Sequence, residues 1–126
     1  MFEYNKRNIL RSRKEIDLLF KDGNTFICYP FRIIWLKENA IPKISLKILI
    51  SVSKKYSKRA VKRNKIKRRI KESFRLLFPN LYQLPFFNMN SLSIAILYIS
   101  KEEEPYQEIS TKLNQVFNTL IQKCSV

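Results

Sequence analysis

Apolar side chains recur along the chain with two different spacings, and these spacings separate helices from strands. Near the N-terminus, Ile16 and Phe20 are four positions apart, which is the spacing of one helix face. A Ser-x-x-Glu pattern that starts at Ser12 is typical of a helix N-terminal capping box. Gly23, the only glycine in the chain, stands where a left-handed C-terminal cap is expected. The pattern therefore predicts a first helix over residues 13–22.

Three other stretches are dense in β-branched and aromatic residues, and this composition predicts strands. Residues 25–36 form one or two strands, with Pro30 marking an edge or a bend. Residues 44–53 form the next strand. Residues 91–100 are apolar at nearly every position, which is typical of a central strand covered on both faces.

A long basic stretch and a C-terminal amphipathic stretch supply two more helices. Residues 54–78 form one predicted helix that Pro79 helps to end. The last helix opens at residues 102–105 (EEEP), since acids and a proline suit a first turn. The coarse order is α-β-β-α-β-α. The length predicts a single domain over residues 1–126, in which residues 1–11 form a mobile basic tail.

The positive charge of the chain is concentrated in one element. Residues 54–75 hold twelve of the 25 Lys and Arg residues and one acid, so they carry +11 of the net +15. A solvated helix face normally mixes both signs at i,i+4 spacing, and this one does not. A polyanion would neutralise the self-repulsion, because phosphate contacts release condensed counterions. The charge pattern therefore predicts a nucleic-acid partner.

Helical projection separates the faces of this basic segment. One stripe is apolar and should pack on the sheet, and the opposite side is polar and basic. The apolar stripe consists of Ile66, Ile70, Phe74 and Leu77, and the opposite row of Asn64, Arg68, Lys71 and Arg75.

Several function classes lack the residues they need. The chain has no histidine and no obvious acidic metal-binding pair, which disfavours a self-sufficient nuclease. No segment approaches the ~20 apolar residues of a membrane span, and the N-terminus does not resemble a secretory signal. Cys28 and Cys124 show no metal-ligand spacing, so a reduced cytoplasmic protein is expected. The rivals to be weighed are a ribosomal or ribosome-assembly RNA-binding protein and a membrane-active cationic protein.

The segment from Ser57 to Lys71 resembles the hallmark motif of the bacterial ribonuclease P protein component family. That motif places a small residue three positions before Arg-Asn, followed by a basic, an aliphatic and further basic residues. Lys65 stands where the family usually has a second arginine. The matching residues are Ala60, Arg63, Asn64, Lys65, Ile66, Lys67, Arg68 and Lys71. The resemblance extends more weakly over residues 10–123.

The resemblance implies an α+β fold, a small two-layer sandwich with a mixed four-stranded sheet. Its βαβ crossover would be left-handed, which is an exception to the usual rule. The chain would be the protein subunit of ribonuclease P. Together with the catalytic ribonuclease P RNA it would remove the 5′ leader of precursor tRNA by endonucleolytic cleavage. Mg²⁺ would be bound mainly by the RNA, so no residue is assigned a catalytic or metal-binding role, and neither a membrane nor a small-molecule substrate is expected.

The resemblance also implies two binding sites. Leader binding would occur in a cleft between the first helix and the sheet, where stacking on aromatic rings tolerates any sequence. Core packing is the alternative for each aromatic residue, and Phe20 is expected to be the most exposed of them. The RNA-binding set is Lys54, Lys55, Arg59, Arg63, Asn64, Lys65, Lys67, Arg68 and Lys71. The leader-binding set is Ile16, Phe20, Phe31, Ile33 and Trp35.

Overall fold

The structure is a computed structural model that describes residues 9–39, 46–82 and 90–124. Three helices and four strands follow one another in the predicted order, with two strands where one or two were expected. The elements are α1 (Arg13–Asp22), β1 (Asn24–Cys28), β2 (Phe31–Asn39), β3 (Leu46–Val52), α2 (Ala60–Tyr82), β4 (Asn90–Tyr98) and α3 (Tyr106–Cys124).

The four strands form one mixed sheet in the order β1-β2-β4-β3. Strands β1 and β2 are antiparallel, as are β2 and β4, whereas β3 and β4 are parallel. The central position predicted for residues 91–100 is confirmed, since β4 lies between β2 and β3. Helix α2 makes the crossover between the parallel pair, and the handedness of this crossover stays a prediction.

The two faces of the sheet are covered unequally. Helices α2 and α3 pack on one face and enclose the main core, which includes Ile66, Ile70 and Phe74 of α2, each with no exposed surface. The predicted apolar stripe of the basic helix is therefore confirmed for these three residues. Helix α1 alone packs on the other face. The small cluster there consists of the buried residues Leu10, Leu19, Ile34 and Ala95.

The ends of α1 confirm one expectation and correct another. The Ser12 hydroxyl accepts a hydrogen bond from the Glu15 amide at 3.3 Å, as the capping-box pattern predicts. The predicted left-handed conformation of Gly23 is wrong, because its φ is −70° and its ψ is 156°. Glycine is required there by close packing, since a Cβ atom would collide with the Leu19 carbonyl and lie 2.8 Å from Cγ2 of Ile34.

We expect Gly23→Ala to lower the free energy of unfolding by about 1–3 kcal/mol, the usual range for an overpacked position. The added methyl group meets backbone that cannot rotate away, and α1 would have to shift from the sheet. Urea unfolding of the variant and the wild type measures the difference. Asp22→Ala, at an exposed neighbouring position, is the control and should change stability much less. Equal stability of Gly23→Ala and the wild type would contradict the packing argument.

The start of the basic helix was predicted too early. Residues 54–56 form a turn, residues 57–59 are irregular, and α2 begins at Ala60. Two serine hydroxyls hold this segment by accepting hydrogen bonds from the backbone two residues later. Ser53 binds the Lys55 amide at 3.0 Å, and Ser57 binds the Arg59 amide at 3.1 Å. Serine side chains compete with helix formation in this way, which explains the later start.

The end of the basic helix was also misplaced. Pro79 lies inside α2, which continues to Tyr82. Proline removes one backbone donor, but near a helix end this loss affects only the final turn.

The N-terminal segment is partly bound to the sheet. Ile9 forms a parallel bridge with Ile48, and the Leu10 amide donates a hydrogen bond to the Ile48 carbonyl at 2.9 Å. The Leu10 side chain is buried. The mobile tail predicted for residues 1–11 is therefore wrong for these two residues, and residues 1–8 lie outside the described residues.

Candidate RNA-binding surfaces

Helix α2 presents its polar side to solvent along most of its length. Asn64, Arg68 and Lys71 are exposed opposite the buried stripe, and Lys67 beside them is half-buried. We call these four residues the outer flank. None of its three cations forms an ion pair within the described part of the chain. The outer flank is thus an array of positive charge without acidic partners in residues 9–39, 46–82 and 90–124.

The flank of α2 that faces α3 is different, because two of its cations are paired. The Glu103 carboxylate lies 3.6 Å from the Lys65 ammonium and 3.4 Å from Nη2 of Arg69. Nη1 of Arg69 also donates a hydrogen bond to the Glu104 carbonyl at 2.7 Å. We call Lys65 and Arg69 the paired flank. The structure therefore separates Lys65 from the rest of the predicted RNA-binding set.

The other predicted RNA-binding residues lie in the turns before α2 and at its first turns. Lys54, Lys55 and Arg59 are exposed there. Arg63 is half-buried, and its Nη1 donates a hydrogen bond to the Ser57 carbonyl at 2.9 Å. This bond ties the first turn of the helix to the preceding segment, so Arg63 has a structural partner in addition to its predicted RNA contact.

The loop between β4 and α3 is held by two buried hydroxyl groups. The Tyr98 hydroxyl donates to the Glu102 carbonyl and accepts from the Glu104 amide, and Ser100 accepts from the Glu102 amide at 3.0 Å. Burial raises the pKa of the Tyr98 hydroxyl, so it stays protonated as a donor. Burial likewise raises the pKa of Tyr56, whose ring packs edge-on against Tyr98. The acidic loop is thereby fixed beside α2.

The leader-binding set must be corrected in part, because three of its five residues lie on the face of the sheet that α2 and α3 cover. Phe31 and Ile33 have no exposed surface and belong to the core beneath α2 and α3, and Trp35 packs against the same core. Neighbouring residues of a strand point to opposite faces. The α1 face of β2 therefore carries Arg32, Ile34 and Leu36 instead.

Ile16 and Phe20 do lie on the α1 side of the sheet. Phe20 is 48% exposed, which confirms the expectation for this ring, while Ile16 packs against the small cluster. Helical spacing places both on one flank of α1 and Glu15 on the other. The Glu15 carboxylate binds the Lys47 ammonium at 3.2 Å near the start of β3.

The face of the sheet on which α1 packs is only partly covered. Arg32, Leu97 and Ser51 form one row across β2, β4 and β3, at the end of the sheet opposite Lys47. Arg32 is exposed, and the other two are partly exposed. We call this row together with Ile16 and Phe20 the cleft. It combines an apolar surface, one exposed aromatic ring and one cation, which are the groups that single-stranded RNA requires.

The cleft and the basic helix meet at one end of the sheet. The row of the cleft lies one residue before the strand ends Val52 and Tyr98. The chain leaves β3 there and passes through Lys54 and Lys55 into α2. A strand of RNA in the cleft would therefore reach exposed cations without crossing the covered face.

Two further features bear on the kinds of site present. In the described ranges, no three carboxylate, cysteine or histidine side chains converge on a point where they could hold a metal ion. Neither are any of the described helices both long and apolar enough to cross a membrane.

The sequence matches the family model described as Ribonuclease P over residues 4–121. The chain belongs to the ribonuclease P protein family. Among its relatives, the ribonuclease P protein component of Porphyromonas gingivalis is 37% identical over 114 residues, which are 90% of this chain and 83% of the relative. That of Rickettsia bellii is 44% identical over 94 residues, which are 70% of this chain and 72% of the relative.

Solved ribonuclease P proteins share the fold. The protein from Staphylococcus aureus superposes with a TM-score of 0.69 at 22% identity, covering 91% of this chain and 96% of its own. The protein from Thermotoga maritima superposes with a TM-score of 0.68 at 24% identity, covering 88% of this chain and 96% of its own. The predicted α+β fold with a mixed four-stranded sheet is confirmed. The chain is a ribonuclease P protein subunit, part of a ribonucleoprotein endoribonuclease, and the ribosomal alternative is not supported.

Proposed function

We propose that this subunit binds the ribonuclease P RNA through the outer flank of α2 and holds the 5′ leader of precursor tRNA in the cleft. It thereby promotes removal of the leader. The observation that carries the proposal is the outer flank, whose cations have no acidic partner among the described residues. Lys54, Lys55 and Arg59 extend this surface toward the cleft. The apolar residues buried beneath α2 fix the orientation of the helix, and therefore of its outer flank.

The leader is assigned to the cleft on chemical grounds. Phe20 offers a ring for stacking, Arg32 offers a guanidinium for phosphate or base contact, and Leu97 offers an apolar floor. Stacking and phosphate contacts are independent of base identity. This suits a leader whose sequence differs from one tRNA precursor to another.

The chemistry of cleavage is assigned to the RNA. We propose that Mg²⁺ is bound mainly by RNA phosphates, and that the enzyme works in the cytoplasm, where tRNA is made. The protein contributes by positioning the substrate and by neutralising phosphate repulsion, which raises the effective concentration of the reacting groups without a protein catalytic group.

Reconstitution tests the proposal directly. The purified chain is mixed with the ribonuclease P RNA of the same organism and a 5′-labelled precursor tRNA at limiting Mg²⁺. We expect accurate release of the leader at a rate well above that of the RNA alone. The chain without the RNA should release nothing. Cleavage by the protein alone, or no stimulation of its cognate RNA, would contradict the proposed function.

Phe20→Ala should weaken binding of precursor tRNA to the reconstituted enzyme by about tenfold, since stacking of one base contributes about 1–3 kcal/mol. Mature tRNA has no leader, so its affinity should stay the same. Dissociation constants measured with both ligands check this. The matched control is Leu18→Ala, because Leu18 is 41% exposed on the same helix but points away from the cleft. Equal losses for precursor and mature tRNA would remove Phe20 from the leader site.

A further inference from the structure

The acidic loop beside α2 pairs with cations on one flank of the basic helix and makes no ion pair with the outer flank among the described residues. Glu103 contacts both cations of the paired flank, at 3.6 Å from Lys65 and 3.4 Å from Arg69. The outer flank has no such contact within the described residues. The cations of α2 that lack an acidic partner among the described residues therefore cover a smaller part of the helix surface than the sequence alone indicates.

The position of Glu103 is fixed by buried groups on both sides of it. Tyr98 has no exposed surface, and it holds the carbonyl of Glu102 and the amide of Glu104. Ser100, also buried, holds the Glu102 amide. Because these hydrogen bonds already order the loop backbone, the Glu103 carboxylate is held next to α2 before its ion pairs form. This lowers the entropic cost of the pairs.

The two cations of the paired flank are held to different degrees. The Arg69 side chain is 22% exposed and also binds the Glu104 carbonyl, so its guanidinium has little room for a phosphate. The Lys65 side chain is 50% exposed and has only Glu103 as a partner among the described residues. A phosphate that approached either cation would have to displace the carboxylate or accept its repulsion.

We propose that Glu103 is a specificity-determining residue that occupies Lys65 and Arg69 and confines RNA phosphates to the outer flank of α2. The proposal rests on the proposed function of α2 as the RNA-binding helix, and it changes the expected role of Lys65. A helix that was cationic all round would bind any RNA in many orientations. A helix with one charged flank binds RNA in fewer orientations, and repulsion from the acidic loop disfavours the wrong ones.

The test compares Glu103→Gln with Glu102→Gln. Both variants remove one negative charge from the same loop, but the Glu102 side chain is exposed and forms no ion pair with a described residue. Binding of an unrelated uridine oligonucleotide is measured over a range of KCl concentrations. If Lys65 and Arg69 become available, the slope of log K against log salt should steepen by up to about 1.4, or about 0.7 for each new phosphate contact.

Glu103→Gln should also bind the unrelated RNA about tenfold more tightly at low salt, whereas affinity for ribonuclease P RNA should rise less. Glu102→Gln should keep the wild-type slope. Equal slopes for the two variants would overturn the role of Glu103. This result is separate from the proposed function, which is tested by reconstitution of the wild-type protein with its cognate RNA.

Lys65→Gln keeps the proposal testable should Glu103→Gln prove unstable, which a thermal melt would reveal. In the wild-type background it should leave the slope for the unrelated RNA almost unchanged, because Lys65 is already occupied. In the Glu103→Gln background, Lys65→Gln should remove at least half of the added slope, because Arg69 stays bound to the Glu104 carbonyl and has less room for a phosphate. A full loss of one phosphate contact from Lys65→Gln in the wild type would contradict the proposal.

Discussion

Phe74→Ala is expected to lower the free energy of unfolding by about 3–5 kcal/mol, the usual cost of emptying a buried aromatic site. Phe74 has no exposed surface, and its ring centroid lies 5.6 Å from those of both Phe78 and Phe117. The ring therefore joins α2 to α3. Small domains have a total stability of about 5–15 kcal/mol, so this loss would leave much of the variant unfolded on warming.

Chemical unfolding followed by circular dichroism measures the effect of Phe74→Ala. Leu76→Ala is the matched control, because Leu76 lies two residues away on α2 and is 58% exposed. Leu76→Ala should lower the free energy of unfolding much less than Phe74→Ala does. A loss below about 1 kcal/mol for Phe74→Ala would show that α2 does not depend on this contact and would contradict the core described above. RNA binding should fall in parallel with the folded fraction.

Arg68→Ala is expected to weaken assembly with ribonuclease P RNA by about tenfold at low Mg²⁺. A charge-assisted hydrogen bond contributes about 1.5–3 kcal/mol, and about 1.4 kcal/mol corresponds to a factor of ten. Arg68 is exposed on the outer flank and forms no ion pair with a described residue, so its guanidinium is available to a phosphate. High Mg²⁺ should reduce the defect, because the ion neutralises the same phosphates.

The dissociation constant of the complex, measured against salt and Mg²⁺ concentration, checks this prediction. Loss of one phosphate contact should make the salt slope shallower by about 0.7–0.9. Lys112→Ala removes the same charge from α3, and it should leave both the affinity and the slope near the wild-type values. Wild-type assembly by Arg68→Ala at low Mg²⁺ would exclude Arg68 from the RNA contact.

Periodicity predicted the elements well where a buried stripe dictates them. The bounds of α1 are those predicted, and the buried row of α2 emerged from helical spacing alone. Ends set by local side-chain hydrogen bonds were harder to place. A charge run predicts a helix from Lys54, because it reveals nothing about the serine hydroxyls that bind the Lys55 and Arg59 amides before α2 begins.

The leader site was predictable only for Ile16 and Phe20, because residues 31–36 carry apolar side chains on both faces of the strand. Because apolar and polar residues do not alternate clearly here, the sequence pattern does not show that Phe31, Ile33 and Trp35 face α2 and α3 rather than α1. Arg32 was the available signal, since it is the one charged residue of this stretch and marks the side that reaches solvent. The pairing of Lys65 with Glu103 was not predictable, because it joins residues 38 positions apart through tertiary packing.

The attachment of Ile9 and Leu10 to β3 affects how copies of the protein meet. An edge strand offers free amide and carbonyl groups to any other extended chain, which invites intermolecular sheet growth and aggregation. Here the chain's own N-terminal segment pairs with part of the edge strand β3 beside Ile48, and the buried Leu10 side chain holds that segment in place. The N-terminal segment thus makes one edge of the sheet less available for self-association, and it leaves α2 accessible to a polyanion.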